Sequence, residues 1–253
     1  MDRHPVPEAV RRAARALGLA ADQLRPLPGA SGETWASEPG VLRVRPSVSL
    51  RRELAASAAA GAAVPVPRVL DVVDLDPPGE VSAALLQWVP GRPAGNLDGV
   101  DRRRAAAIGR VCGEIHAALA TVPAPGGLRS ADGQAAPNDR LLHLDLHPFN
   151  ILLDDRDQVS GVVDWANCAA GPPELDRART ATLFHWDPAA VVLKPNPVWA
   201  ALAEAWAATA SFPQIPRRAL LWAYRYMLAD LSDRYHGDEL SELRRAADEF
   251  SRY

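Results

Sequence analysis

The stretch Leu142-His-Leu-Asp-Leu-His-Pro-Phe-Asn-Ile-Leu152, followed by Gly161-Val-Val-Asp-Trp165, holds the most informative polar residues of this 253-residue chain. His143, Asp145 and Asn150 form a His-x-Asp-x-x-x-x-Asn string within the first part. Each of these residues alone is typical of a turn or of the end of a strand. The ordered set, with apolar residues after it, favours a functional site instead.

The spacing of this string matches the catalytic loop of phosphoryl-transfer kinases. That chemistry needs a carboxylate that orients the acceptor hydroxyl and accepts its proton, a role predicted for Asp145. It also needs oxygen ligands for Mg2+, which bridges and neutralises the phosphates. Asn150 and Asp164, which lies nineteen residues after Asp145, fit that role. The sequence therefore predicts a magnesium-assisted site of phosphoryl transfer.

The strings HLDLHPFNILL and VVDWANCAAGPPELD resemble the aminoglycoside phosphotransferase and choline-kinase-like superfamily, a branch of the protein-kinase-like fold. The pattern of that family is His-Gly-Asp-x-His-x-x-Asn, then Asp-Trp or Asp-Phe, then Gly-Asp-Pro and a further Asp. This chain departs from it at Leu144, where the family has Gly, and at Pro172, where it has Asp. The resemblance implies that His143 supports the loop by hydrogen bonding, that Asp176 braces it from below, and that His147 packs within it.

The resemblance extends, with weaker motifs, over the preceding part of the chain. It implies that Gly29, Ser31 and Gly32 belong to a loop that covers the nucleotide, because small residues let backbone N–H groups approach phosphates. Arg43 occupies the position of the lysine that holds the α and β phosphates in this family, and Glu53 is its implied helix partner. Arginine keeps the charge and grips phosphate in bidentate fashion, but its fork is bulkier.

The segment Gln87-Trp-Val-Pro-Gly91 resembles the linker between the lobes of the family. The resemblance implies that the main chain of Gln87, Trp88 and Val89 reads the adenine edge of the nucleotide. Trp88 could instead be a core residue. The implied cofactors are ATP, with GTP as an alternative, and Mg2+.

The predicted fold class is α+β, as a two-lobed protein-kinase-like fold with the nucleotide in the cleft. Residues 1–89 are expected to form a β-rich lobe with one internal helix, and residues 90–253 a larger, mainly helical lobe. Hydrophobic periodicity and turn residues delimit the elements. Extended segments are predicted over 41–45, 64–73, 81–89, 141–153 and 159–163. Helices are predicted over 7–17, 49–60 with Ser49 as the cap, 101–120, 174–184, 198–210, 217–233 and 238–250.

The acceptor site is expected in the C-terminal helices, which are rich in acidic residues. Asp230 and Asp233 are the candidate acceptor residues, because they lie close in sequence to Trp222, Tyr224 and Tyr226. Such carboxylates would attract a polycationic acceptor such as an aminoglycoside. The alternative is a pair of solvated amphipathic helices with internal Glu–Arg pairs. The tryptophans are expected to pack in the core.

Composition limits the partners and the cellular compartment that are expected for this chain. A net charge of −3 gives no global attraction to nucleic acid or to an anionic membrane. The charged N-terminus predicts no signal peptide, and no segment is apolar enough to span a membrane. Two cysteines form no disulfide framework and suit a reducing cytoplasm. The chain is short for the resemblance, so a homodimer or a partner chain is an alternative to an open acceptor pocket.

These observations predict an enzyme that transfers the γ-phosphoryl group of ATP to a hydroxyl of a small molecule, an antibiotic or a metabolite. One alternative is the same chemistry on Ser or Thr of a precursor peptide in natural-product biosynthesis. A second is a catalytically weak, nucleotide-binding pseudokinase, which the arginine at position 43 favours. A third, a purely structural or interaction protein, leaves the Asp145, Asn150 and Asp164 set unexplained.

Overall fold

The computed structural model describes residues 6–27, 34–75, 79–134, 136–232, 235 and 240–251. Within these residues, the N-terminal part forms an antiparallel five-stranded sheet in the order β1-β2-β3-β5-β4. Its strands are β1 Arg25–Pro26, β2 Thr34–Ala36, β3 Gly40–Pro46, β4 Val69–Asp74 and β5 Val81–Gln87. The strand predicted over 64–73 begins only at Val69, since Pro65 and Pro67 have no N–H group to donate to a ladder.

Two helices accompany this sheet, α1 Glu8–Ala16 and α2 Ser47–Ala60. Val10 of α1 is buried in a cluster with Trp35 and Leu42 of the sheet. The predicted Ser49 cap is wrong, because the chain enters α2 directly from Pro46 and Ser49 lies inside the first turn. Helix α2 ends at Gly61, as predicted.

The remaining part is mainly helical and carries two short strand ribbons. Its helices are α3 Arg102–Leu119, α4 Pro173–Trp186, α5 Pro188–Leu193, α6 Pro197–Thr209, α7 Arg217–Leu231 and α8 Ser241–Ser251. Its strands are β6 Arg92–Pro93, β7 Arg140–Leu142, β8 Ile151–Leu153, β9 Val159–Val162 and β10 Ala169–Gly171. Helix α5 was not predicted, because six residues are too few to show a helical hydrophobic period. None of the helices in the described residues is long and apolar enough to cross a membrane.

Helices α3 and α6 make a close contact that depends on two glycines. A Cβ atom at Gly109 would lie 2.2 Å from the carbonyl oxygen of Leu202, and one at Gly113 would lie 2.6 Å from the side chain of Thr209. The buried face of α3 therefore runs through these glycines, Cys112 and His116. Trp199 of α6 in turn stacks on Phe149, in the loop that contains Asp145.

The strand ribbons bring the two informative stretches of sequence together. Strands β8 and β9 pair with Ile151 opposite Val162, and β7 pairs with β10. The predicted extended run over 141–153 is thus two short strands, β7 and β8, with residues 143–150 as the loop between them. The backbone N–H of Val163 donates to the carbonyl oxygen of Asn150 (3.0 Å), which places Asp164 directly beside this loop.

Most tryptophans are buried, as predicted; Trp35, Trp165, Trp199 and Trp206 belong to the core. Trp186 and Trp222 are half-buried, and Trp88 is 49% exposed. The alternative that Trp88 is a core residue is therefore wrong. Its position after the last residue of β5 turns the ring to solvent.

Candidate active site

The loop of residues 143–150 is held from below by a buried carboxylate. The Oδ1 and Oδ2 atoms of Asp176, near the start of α4, accept the backbone N–H groups of Leu144 (2.7 Å) and His143 (3.2 Å). Asp176 is only 3% exposed, so the two charge-assisted hydrogen bonds are shielded from water. This is the bracing position that the resemblance implied for Asp176.

His143 connects the loop to the stretch that contains Asp164. Its Nε2 atom lies 3.1 Å from the carbonyl oxygen of Val163, so this nitrogen carries the proton. The imidazole also packs against Trp165, with 4.6 Å between ring centroids. His143 is fully buried and supports the loop, which is the role that the resemblance implied.

Asn150 and His147 fix the form of the loop around Asp145. The Nδ2 atom of Asn150 donates to the backbone oxygen of Asp145 (2.9 Å), which leaves its Oδ1 atom for another ligand. The Nδ1 atom of His147 accepts the backbone N–H of Phe149 (3.2 Å), and Nε2 lies 3.8 Å from Oδ1 of Asp145. Burial lowers the pKa of His147, and the Asp145 charge opposes this only in part. A neutral imidazole that packs within the loop agrees with the expectation.

Arg43 and Glu53 form the predicted strand–helix pair, with 2.5 Å between Nε and Oε1. The guanidinium has two further contacts. Its Nη1 atom donates to Thr34 Oγ1, and its Nη2 atom donates to Asp164 Oδ1, each at 2.9 Å. Arg43 therefore connects the sheet, α2 and the Asp164 carboxylate across 121 residues of sequence.

Burial and the neighbouring charges act in opposite directions on the pKa values of Arg43 and Glu53. Burial opposes the charge on Arg43, but Glu53 and Asp164 outweigh it and raise the pKa of Arg43. For Glu53 burial prevails, so its pKa is raised despite the neighbouring guanidinium. Asp164 is more open, with 37% of its side chain exposed. The exposed carboxylate is the part of this group that a solvent-borne ligand can reach.

Two sets of contacts thus lie side by side, the Asp145–Asn150 loop and the Arg43, Glu53 and Asp164 group. The backbone hydrogen bond from Val163, next to Asp164, to Asn150 joins them. The sequence profile of the phosphotransferase enzyme family (APH) matches residues 23–136 and 128–222 of this chain. The chain belongs to this family. No curated protein sequence matches it significantly.

Solved structures of aminoglycoside phosphotransferases have a similar fold. A thermostable mutant of APH(4)-Ia is 16% identical with a TM-score of 0.67, over 96% of this chain and 98% of that one. Aminoglycoside 2'-phosphotransferase-IIIa, solved as a GDP complex, is 11% identical with a TM-score of 0.62, over 95% and 96%. APH(3'')-Id from Streptomyces rimosus ATCC10970 is 19% identical with a TM-score of 0.58, over 84% and 94%. The predicted kinase-like α+β fold is confirmed.

In this phosphotransferase, the departure at Leu144 has a conformational consequence. Leu144 has a φ of 60°, in the left-handed region that costs a branched residue about 1–2 kcal/mol. Glycine adopts this φ freely, which accounts for its place in the family pattern. Leu144 is fully buried in a cluster with Leu142, Ala178 and Ala219. Apolar packing therefore offsets the backbone strain.

We expect Leu144→Gly to lower the free energy of unfolding by about 1–3 kcal/mol, because losing a buried leucine costs about 2–5 kcal/mol and relieving the strain returns part of it. Leu144→Ala is the matched control, since it loses the packing and keeps the strain. Urea unfolding should rank the variants with alanine less stable than glycine by about 1 kcal/mol. Equal stabilities of the two variants would contradict a strained position.

His116 on α3 is a residue that sequence reasoning missed. Its Nδ1 atom accepts the indole N–H of Trp206 (3.3 Å), so Nε2 carries the proton and faces Asp176 Oδ2 at 3.8 Å. His116 thus lies behind the carboxylate that braces the loop. Burial lowers its pKa to about 4, against the opposing charge of Asp176. A lone histidine on an apolar helix face gives no signal of such a contact in the sequence.

This histidine predicts a pH dependence of stability. Its pKa is about 4 in the folded protein and 6.5 otherwise, so between these values the unfolded chain binds more protons. Stability contributed by neutral His116 is therefore fully present above pH 6.5 and is lost as the pH falls toward 4, by about 3 kcal/mol from this group. Urea unfolding between pH 4.5 and 7.5 should show a shallower slope for His116→Gln than for the wild type. Parallel curves would refute this assignment.

The predicted nucleotide-contacting residues fall into three groups. Gly29, Ser31 and Gly32 lie outside the described residues. Gln87 ends β5, and its N–H donates to the backbone oxygen of Arg68 (2.8 Å). That N–H is therefore already used within the protein, and the contact of the Gln87 main chain with an adenine edge stays a prediction. The N–H groups of Trp88 and Val89 remain candidates, and the side chain of Val89 covers Gly161.

The candidate acceptor residue Asp230 is part of an ion pair. Its Oδ2 atom accepts from Nη2 of the buried Arg179 (2.6 Å), and Nε of Arg179 donates to the backbone oxygen of Leu144 (3.2 Å). Arg179 also lies 5.0 Å from the ring centroid of Tyr226, so Asp230 is near the aromatic group as expected. The Asp230 carboxylate neutralises Arg179, which supports the loop. This ion pair favours a structural role for Asp230 over contact with an acceptor. Asp233 lies outside the described residues.

Proposed function

We propose that this chain transfers the γ-phosphoryl group of ATP to a hydroxyl group of a small molecule, an antibiotic or a metabolite, with the help of Mg2+. The observation that supports it best is the contact network that unites the Asp145 loop, Asp164 and the Arg43–Glu53 pair. Membership of the phosphotransferase enzyme family agrees with this activity. Residues 1–89 and 90–253 would be the two lobes around the cleft.

Each residue has a role that follows from its position. The Asp145 carboxylate orients the acceptor hydroxyl and accepts its proton; it is partly open to solvent, and the side-chain amide of Asn150 fixes its backbone. Arg43 holds the nucleotide phosphates, with Glu53 fixing the guanidinium. His143 and Asp176 hold the loop in place through their hydrogen bonds. Catalysis would consist of positioning and charge neutralisation, as is general for phosphoryl transfer.

The residues available for Mg2+ fit its chemistry. Mg2+ is held by one or two protein oxygens together with nucleotide phosphates and water, so it needs no cage of protein ligands. Asn150 offers Oδ1, and Asp164 offers a partly exposed carboxylate. No group of three or more His, Cys, Asp or Glu side chains suited to a metal occurs in the described part of the chain. When bound, the ion would neutralise the charge of the phosphates.

A nucleotide-binding pseudokinase is the second candidate. It is favoured by Arg43, which stands in place of lysine and whose guanidinium already contacts Asp164. In that case the guanidinium would take the place of a cation at Asp164. The intact Asp145 and Asn150 positions favour the enzyme.

Calorimetric titration with ATP and with GTP, each with and without Mg2+, tests the proposal. We expect Mg2+-dependent binding by the wild type and at least about a tenfold loss of affinity in Asp164→Ala, because truncation removes a metal ligand. Binding of one nucleotide that does not depend on Mg2+ would favour the pseudokinase. Absence of binding to both ATP and GTP would contradict the proposal.

A further inference from the structure

The cavity beside the Asp145 loop carries an inference that deepens the proposed function. It has a volume of about 470 Å³, within the usual range for small-molecule sites of about 300–1,000 Å³. Phe149, Trp199, Leu97 and Leu193 supply much of its lining. Phe149 belongs to the loop itself, one residue before the candidate metal ligand Asn150.

Backbone hydrogen bonds join one wall of the cavity to the loop that contains Asp145. The backbone N–H of Gly95 donates to the oxygen of Pro148 (3.0 Å), and that of Ala94 donates to the oxygen of Ile151 (2.8 Å). These bonds flank Asn150 on both sides. On the other side, the Phe149 ring lies 6.1 Å from His147, whose Nε2 atom lies 3.8 Å from the Asp145 carboxylate. Phe149, which lines the cavity, is thus connected through His147 to the carboxylate that would receive the acceptor hydroxyl.

The Phe149 ring packs against Gly95 and Trp199, yet much of its surface is exposed to solvent. A Cβ atom at Gly95 would lie 2.8 Å from this ring, so a larger residue there would displace the ring. The ring stacks on Trp199 at 6.4 Å, with an angle of 25° between the planes. Nevertheless Phe149 is 44% exposed, whereas Trp199 is 4% exposed. An aromatic surface held rigidly and left uncovered on this loop is suited to a planar, apolar part of a ligand.

The polar groups of the cavity are mostly neutral. Asn96 Oδ1 accepts the N–H of Asp98 (3.3 Å), and Asn196 Oδ1 accepts the N–H of Val198 (2.9 Å). Each carboxamide therefore presents its NH2 group as the donor for a ligand. Asp98 is the single charged residue among the described residues that line the cavity. One carboxylate matches a neutral ligand better than a polycation.

We infer that this cavity binds the acceptor, and that the acceptor is a neutral hydroxylated molecule with a planar ring rather than a polycationic aminoglycoside. The inference rests on the phosphotransfer function proposed above. The ring would stack on Phe149, the carboxamide NH2 groups would donate to ether or carbonyl oxygens, and a hydroxyl would reach toward Asp145. The C-terminal acidic residues would then serve the fold, as Asp230 does by pairing with Arg179.

Saturation-transfer NMR on the full chain tests the inference without nucleotide. The probes are salicin and 4-nitrophenyl β-glucoside, which are neutral aryl glucosides, and kanamycin A, which is a polycation. Leu193→Trp fills the cavity, while Val192→Trp adds the same ring at a neighbouring residue that is 78% exposed. We expect the wild type and Val192→Trp to bind the aryl glucosides, and Leu193→Trp to bind them at least about tenfold more weakly because its cavity is filled.

Three results would overturn the inference: no transfer to either aryl glucoside at millimolar concentration, equal binding by Leu193→Trp and Val192→Trp, or preferential binding of kanamycin A. A thermal melt of both variants distinguishes a filled cavity from a failure to fold. If Leu193→Trp does not fold, Leu97→Trp with the same probes decides the question. Because no nucleotide is present, these outcomes are independent of the calorimetric test of the proposed function.

Discussion

Asp145→Asn is expected to lower kcat by about 10²–10⁴, the usual contribution of a positioned general base. Asparagine keeps the size of the side chain but cannot accept the proton of the acceptor hydroxyl. The loop should remain intact, because Asn150 donates to the backbone oxygen of Asp145 and not to its carboxylate. Nucleotide affinity should therefore change by less than about threefold. Formation of ADP and of the phosphorylated acceptor, and calorimetry with ATP, measure the two quantities.

Asp155→Asn is the matched control, since it makes the same change at an exposed carboxylate in the turn between β8 and β9. It should leave kcat unchanged. An unchanged kcat in Asp145→Asn would instead remove the basis for assigning this loop as catalytic. His147 is the alternative base, but burial lowers its pKa and its Nδ1 atom accepts the N–H of Phe149. A larger loss of kcat in His147→Asn than in Asp145→Asn would favour that alternative.

The central part of the site was predictable because it is encoded locally. The loop between β7 and β8 contains His143, Asp145 and Asn150 within eight consecutive residues, and a hairpin joins it to the next stretch. The order and spacing of these residues identified the loop, although the extended segment predicted over 141–153 is two strands with the loop between them. The Arg43–Glu53 pair was expected only from the resemblance to the family, and the structure brings the two residues together between β3 and α2.

Contacts between distant helices were not predictable from the sequence. His116 and Asp176 lie 60 positions apart in sequence and meet only because α3 and α4 both pack beneath the loop. The Arg43–Asp164 contact likewise depends on how the sheet sits against the helical part. Hydrophobic periodicity identifies the buried face of a helix but does not say which polar group it meets. Ser49 is an error of a local kind. Its side chain is typical of a helix cap, but α2 begins earlier, directly after Pro46.

Arg43→Ala is expected to lower the free energy of unfolding by about 3–5 kcal/mol, because it leaves the buried Glu53 carboxylate without its main partner. The Nη1 atom of Arg45 lies 3.7 Å from Glu53 Oε2 and compensates only in part. Arg45→Ala is the matched control on the same strand, and it should cost less because the 2.5 Å contact between Arg43 and Glu53 remains. Urea unfolding measures both losses.

Adding Glu53→Gln to Arg43→Ala separates the cost of the unpaired charge from the cost of lost packing. Because burial already raises the pKa of Glu53, a neutral side chain is better tolerated there once the guanidinium is gone. The double variant should therefore be more stable than Arg43→Ala by about 1–3 kcal/mol. If the two are equally stable, the guanidinium contributes packing rather than charge balance.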